Sequence, residues 1–204
     1  MTDLRAWFGD IDIYLFDQLL RERITPGMRV LDAGCGRGRN LVYLMRAGFD
    51  VFGLDPEALA IQSVRGMALD VAPHLPPLNF RVEAVEETTL PLHSFDVVIS
   101  SAVLHFARDD AHFEAMLRGS WRMLKPGGLF FCRLASSIGM ERDVVPVAGR
   151  RHRLPDGSER YLVDEALLMR LTQELGGQLL DPLKTTIVQN QRCMTTWVAR
   201  ASSQ

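Results

Sequence analysis

Short apolar runs alternate along the chain with longer stretches of helical spacing. Ile11 to Ile24 places Ile11, Leu15, Leu19 and Leu20 on one face, and Thr25-Pro26-Gly27 stops the helix so predicted. Next come a strand at Met28 to Leu31, a helix from Arg37 to Ala47, a strand at Val51 to Leu54 and a helix from Pro56 to Val71. A turn containing Pro73, Pro76 and Pro77 leads into a strand at Leu78 to Val82, then a strand at Asp96 to Ser100 and a helix from Asp109 to Leu124. Lys125-Pro126-Gly127-Gly128 turns the chain into a strand at Leu129 to Leu134. Such alternation predicts an α/β fold, a doubly wound and mostly parallel sheet with helices on both faces. Burial on both faces is why its strands read as near-continuous apolar runs.

After Leu134 the rhythm breaks. Residues 135–160 carry Val144, Val145 and Val147, the charged tip Gly149-Arg150-Arg151-His152-Arg153 and the turn Leu154-Pro155-Asp156-Gly157, the pattern of an inserted hairpin that can act as a lid. A helix from Val163 to Leu175 is closed by Gly176-Gly177. Thr185 to Gln189 and Thr195 to Ala199, joined by Asn190-Gln191-Arg192, read as an antiparallel pair. Neither a repeat nor a linker divides the 204 residues, so a single domain is expected, with 1–25 as an N-terminal helical segment.

Charge narrows the partners. With 23 basic and 25 acidic side chains the formal net charge is −2, which is not the footprint of a nucleic-acid binder. No apolar run approaches the length of a membrane span, and Asp3, Asp10 and Asp12 interrupt any leader-like stretch. Cys35, Cys132 and Cys193 are odd in number, far apart and without a CxxC pair, so neither disulfides nor a metal site is expected and a reducing, cytoplasmic setting fits.

The chemistry concentrates in "VLDAGCGRGRN", residues 30–40. A glycine-rich loop between a first strand and a first helix binds ligands in open α/β sheets, because the backbone can come close and the helix start offers free N–H groups. A dinucleotide fingerprint needs GxGxxG, but Arg39 stands where its third glycine should be, and the spacing here is GxGxG. Asp32, two residues before Gly34, would repel a pyrophosphate and attract an ammonium. S-adenosylmethionine carries an ammonium and a sulfonium and no phosphate, so this charge selects it over a dinucleotide. Asp55 ends the second strand 21 residues after Gly34, where an acid can accept hydrogen bonds from ribose hydroxyls; Asp55-Pro56-Glu57 is also a good N-cap with Pro at the first helical position.

At this point the sequence resembles the class I S-adenosylmethionine-dependent methyltransferases. "VLDAGCGRGRN", "VFGLDPEALA", "LPLHSFDVVISSAVLHF" and "MLKPGGLFF" carry the resemblance in the family's order across residues 28–134. "GCGRGRN" looks like the tellurite-resistance group, whereas "LP…SFDVVISS" looks like the quinone-biosynthesis and small-molecule group. The resemblance implies a Rossmann-like seven-stranded sheet with a reversed last strand. It also implies methionine contacts at Asp32, Gly34 and Gly36 and a ribose contact at Asp55. Where the family often has Asp and a small residue after the third strand, this chain has Ala84-Val85-Glu86, which leaves adenine to the backbone near Val85. Cys35, Pro56, Glu86 and Ser101 complete the expected cofactor set.

Methyl transfer is an in-line displacement in which alignment does much of the work, so a general base is optional. His105, just past the fourth strand, is the candidate base, with packing as its alternative. Tyr14 and the cluster Arg150, Arg151 and Arg153 are candidate acceptor contacts, the guanidiniums suiting a carboxylate or phosphate. The expected partner is a small-molecule acceptor. The alternatives are a cofactor-binding module without turnover, or an enzyme acting on protein or RNA. The acceptor, its accepting atom and the oligomeric state stay open.

Overall fold

The computed structural model describes residues 3–203. Two short helices, α1 (Leu4–Phe8) and α2 (Ile13–Leu20), begin the chain, each opened by an aspartate whose carboxylate accepts first-turn N–H groups. Then follow β1 (Arg29–Ala33), α3 (Leu41–Arg46), β2 (Asp50–Asp55), α4 (Ala58–Val71), β3 (Phe80–Val82), β4 (Phe95–Ser101), α5 (Asp110–Trp121) and β5 (Leu124–Ala135). A separate antiparallel sheet, β6 (Val145–Ala148), β7 (Arg151–Arg153) and β8 (Glu159–Tyr161), precedes α6 (Glu165–Glu174), β9 (Gly177–Leu179), β10 (Lys184–Val188) and β11 (Arg192–Ala201).

The main sheet runs β10-β11-β5-β4-β1-β2-β3, with β9 also paired to β11. Strands β1 to β5 are mutually parallel, and β11 runs antiparallel to β5. Strand order reverses between β1 and β4, so their carboxyl ends open the crevice where such sheets bind ligands.

Alternation along each strand feeds two cores. Leu31, Val98 and Phe130 face α5 and α6, where Phe113, Leu117 and Leu168 meet them. Val30, Val97 and Phe131 face Leu15 of α2, Leu41 and Leu44 of α3 and Ile61 and Val64 of α4. Among the described residues, no helix is long and apolar enough to cross a membrane.

Several boundaries differ from the sequence reading for local reasons. Helix 11–24 shrinks to α2 because Glu22 takes a left-handed φ of 56°, and a separate short helix, α1, precedes it within the N-terminal helical segment. Helix 37–47 starts only at Leu41, since Gly36 and Gly38 hold positive φ. Pro77–Asn79 forms a 3-10 turn, which delays β3 to Phe80. Lys125-Pro126-Gly127-Gly128 lies within β5, across a register shift opposite Phe95 to Val97. The insertion has three strands instead of a simple hairpin, and β9 makes the main sheet eight-stranded.

Candidate active site

A cleft of about 940 Å³ opens at the strand reversal. The loop 34–40, Asp55 to Glu57, Glu83 to Glu87 and Ser101 to Val103 wall it, together with Phe106, Arg108, His112 and Met116. Gly34 and Cys35 both donate their N–H to the Leu54 carbonyl at 2.8 Å, folding the loop over the end of β2. A Cβ on Gly34, whose φ is 87°, would collide with the Val103 side chain. Space beside Gly36 is open, so its bare backbone faces the cleft.

Asp55 braces this loop. Its Oδ2 accepts the Gly36 N–H at 2.9 Å, and its Oδ1 accepts the Glu57 N–H at the same distance. The capping alternative is therefore modified: Glu57, not Asp55, is the N-cap of α4, and Pro56 precedes the helix instead of opening it. Each oxygen keeps acceptor capacity toward the cleft.

Asp32 lies beneath the loop and not on the cleft wall, 1 % exposed. Neither carboxylate oxygen has a hydrogen-bond partner among the described residues. Burial pushes its carboxyl up to about 7; the Arg39 charge and the Asn40 amide, which lies near but outside hydrogen-bond geometry, pull the other way, and Asp55 adds to the rise. An orphaned acid under a ligand loop is the kind of group that a bound cation relieves. Cys35 is buried, and burial raises its thiol, so it packs and does not react.

A polar cluster that the sequence reading missed closes one end of the cleft. Asp12, its side chain fully buried, accepts Arg133 Nη1 at 3.0 Å and Ser101 Oγ at 3.4 Å on one oxygen, while Arg39 Nη2 lies 3.7 Å away. The Asp12 N–H donates to Asn40 Oδ1 at 3.0 Å. Arg39 Nη2 donates to Ser101 Oγ at 2.9 Å. Asp12, noted in the sequence only as an acid that interrupts a leader-like stretch, gave no hint of a partner 121 positions away.

At the opposite end Val85 is buried below a 3-10 turn, Val85–Glu87. Gly119 of α5 lets that turn come close, since a Cβ there would sit 2.7 Å from the Val85 carbonyl oxygen. Glu86 pairs with His112 Nε2 at 3.1 Å on the rim.

The acceptor candidates fare differently. His105 is buried, and its Nδ1 accepts the Ala135 N–H at 3.1 Å. Burial lowers its pKa to about 4, Arg160 assisting. The neutral ring then carries its proton on Nε2, which donates and cannot abstract, so the general-base expectation is not met by this geometry. Tyr14 stands away from the cleft, its hydroxyl 2.7 Å from Thr186 Oγ1. Arg150 pairs with Asp164 at 2.9 Å, and Arg151 and Arg153 each reach Glu159 at 3.4 Å, all outside the cleft wall. Asp164 and Glu159 offset two of these three charges. Phe106, 57 % exposed on the wall and under the Arg160 guanidinium at 4.9 Å, is the aromatic surface the sequence reading passed over.

The family model described as "Methyltransferase domain" matches residues 31–132, half of the chain. The chain belongs to this methyltransferase domain family. The match takes in the glycine loop, Asp55 and the whole of β4, and S-adenosylmethionine is the domain's cofactor. A ubiquinone biosynthesis O-methyltransferase from Rhizobium etli is 33 % identical, over 53 % of this chain and 42 % of its own length. A tRNA U34 carboxymethyltransferase from Pseudoalteromonas translucida is 30 % identical, over 96 % of this chain and 58 % of its own. The methyltransferase domain thus spans about half the length of these curated relatives. Among solved structures, the 1,6-didemethyltoxoflavin-N1-methyltransferase of Burkholderia thailandensis superimposes with a TM-score of 0.71 and 19 % identity, covering 96 % of this chain and 80 % of that one, and shares the fold.

Proposed function

We propose that the domain transfers a methyl group from S-adenosylmethionine to a small-molecule acceptor held beside it in the same cleft. The observation that carries this reading is the buried, unpartnered Asp32 beneath a glycine loop braced by Asp55. Together they suit an adenosyl amino acid: Asp32 offers charge to an ammonium, and Asp55 offers lone pairs to ribose hydroxyls. Gly34, Cys35 and Gly36 supply close backbone, and Pro56, Val85, Glu86 and Ser101 border the remaining length. Bound there, the cofactor supplies a methyl group already activated by a sulfonium. The chain contributes alignment and exclusion of water, with Val103 and Phe106 as apolar wall on the acceptor side. A cleft of about 940 Å³ lies near the upper end of the ~300–1,000 Å³ typical of small-molecule sites, which leaves room for a second ligand.

Similarity to ubiquinone-type relatives favours the quinone and small-molecule group over the tellurite-resistance group. A second reading, modification of RNA, draws support from the tRNA-modifying relative. The formal charge of −2 and the ion-paired Arg150, Arg151 and Arg153 weigh against it. Free, buried Cys35, Cys132 and Cys193 suit a reducing, cytoplasmic setting. Incubation with methyl-labelled S-adenosylmethionine and either a metabolite extract or total tRNA separates the readings. Label in a small organic product supports the first, label in tRNA the second, and binding without label in either a module that does not turn over.

A further inference from the structure

We infer that the methyl acceptor is an aromatic acid, its ring packed against Phe106 and its anionic group held by Arg160 and Arg108. This rests on the reading of the cleft as a site for S-adenosylmethionine and a small acceptor. The carboxylates of the cleft wall, Asp55, Glu57, Glu83, Glu86 and Glu87, all lie at or after the ends of β2 and β3. The stretch after β4, from Ala102 to Met116, brings no carboxylate to the wall, and Glu86, which reaches across to it, is engaged by His112 at 3.1 Å. Val103, Met116 and the half-exposed ring of Phe106 are the apolar surface there. A cationic acceptor would find no free counter-charge on this side.

The guanidiniums beside that surface are without acid partners. Arg160, on β8, lies over the Phe106 ring at 4.9 Å, and its Nη1 donates to the adjoining Glu159 carbonyl at 2.7 Å. Asp156 senses the Arg160 charge without forming an ion pair with it. Arg108 is exposed on the wall, and it is its backbone N–H that bonds His112 Nδ1, at 3.2 Å. Among the described residues no carboxylate reaches ion-pair distance of either guanidinium, in contrast to Arg150, Arg151 and Arg153. Alternation along β8 fixes where Arg160 points: the next residue, Tyr161, is buried on the other side, stacked on Phe113 at 4.5 Å with its hydroxyl donating to Asp110 at 2.8 Å. The inserted sheet thus delivers an anchored guanidinium to an exposed ring. A guanidinium presents donors in a planar fork matched to a carboxylate, so an arene without an acid would leave both forks unfilled. An aliphatic acid would fill them and forgo the ring contact that Phe106 offers.

Calorimetric titration of the whole chain, saturated with S-adenosylhomocysteine, with naphthoate, naphthamide and cyclohexanecarboxylate tests the assignment. Wild-type protein should bind naphthoate tighter than the amide by roughly tenfold or more, the scale of a hydrogen bond to a charged group, and tighter than the aliphatic acid. Arg160→Gln and Arg108→Gln should each narrow the preference for acid over amide several-fold, and Arg160→Lys should keep part of it. Phe106→Ala should weaken both naphthyl ligands more than cyclohexanecarboxylate. Wild type that binds S-adenosylhomocysteine but shows no preference for the acid over the amide overturns the assignment, as does an undiminished preference in Arg160→Gln. Uniform weakening toward all three ligands in Arg160→Gln also overturns it, since Arg160 would then act only through the fold. Failure of wild type to bind S-adenosylhomocysteine overturns the underlying reading of the cleft instead.

Discussion

Asp12 and Arg133 meet at 3.0 Å across 121 residues of sequence, joining the start of α2 to the end of β5. The pair fastens the N-terminal segment over the carboxyl ends of the strands, beside the cleft. Its carboxylate is fully buried, so removing it leaves a mostly buried guanidinium without its counter-charge. Asp12→Ala should destabilise the fold by roughly 3 kcal/mol, at the lower end for a broken buried pair. Urea unfolding checks this; a midpoint close to wild type would show the contact to be incidental.

Asp55 holds the glycine loop through Gly36 and faces the cleft. Asp55→Ala should weaken S-adenosylhomocysteine binding by about tenfold to a hundredfold, corresponding to ~1.5–3 kcal/mol. Equilibrium dialysis is sufficient to measure it. Unchanged affinity would reduce Asp55 to a brace.

His105 makes the stability of the protein depend on pH. Its folded pKa of about 4 lies below its ordinary 6.5, so the unfolded chain binds more protons between those values. Stability from this group is present above pH 6.5 and lost as pH falls toward 4, by up to roughly 3 kcal/mol. Asp32 acts with the opposite sign: raised to about 7 from 3.8, it favours the fold below pH 3.8 and loses that contribution as pH rises through 7. His105→Asn should therefore flatten the acid side of a stability profile. It should also leave methyl transfer within a few-fold of wild type, because Nδ1 is already engaged. A hundredfold loss of turnover with the fold intact would restore the base.

Arg150, Arg151 and Arg153 are paired with Asp164 and Glu159 off the cleft. Changing all three to Gln should leave the acceptor KM unchanged and cost at most about 1–2 kcal/mol of stability, as partly exposed pairs do. A several-fold rise in KM would return them to the acceptor.

The parallel sheet and its glycine loop were legible because both are written locally, in apolar runs and in Gly34 and Gly36. Asp55 was legible through its spacing from the loop. The Asp12 cluster was not, since nothing in a sequence places Asp12, Arg39, Ser101 and Arg133 together until the sheet order is known. His105 misled for a related reason: proximity to β4 predicts the right end of the sheet but not which way a ring turns, and Ala135 decides that. The basic tip at Arg150 to Arg153 looked available because its partners, Asp164 and Glu159, lie across a strand and a turn.

The cleft should bind an adenosyl amino acid over the buried Asp32 carboxylate. Calorimetric titration with S-adenosylhomocysteine and with NAD, each in two buffers of different ionisation enthalpy, measures both the binding and the protons it releases. With the Asp32 carboxyl at about 7 in the free protein, a bound ammonium should release a proton. S-adenosylhomocysteine should release more protons on binding at pH 6 than at pH 8, the release should be abolished in Asp32→Asn, and NAD should not bind. Tight NAD binding, or S-adenosylhomocysteine binding with no proton release at pH 6, would contradict it.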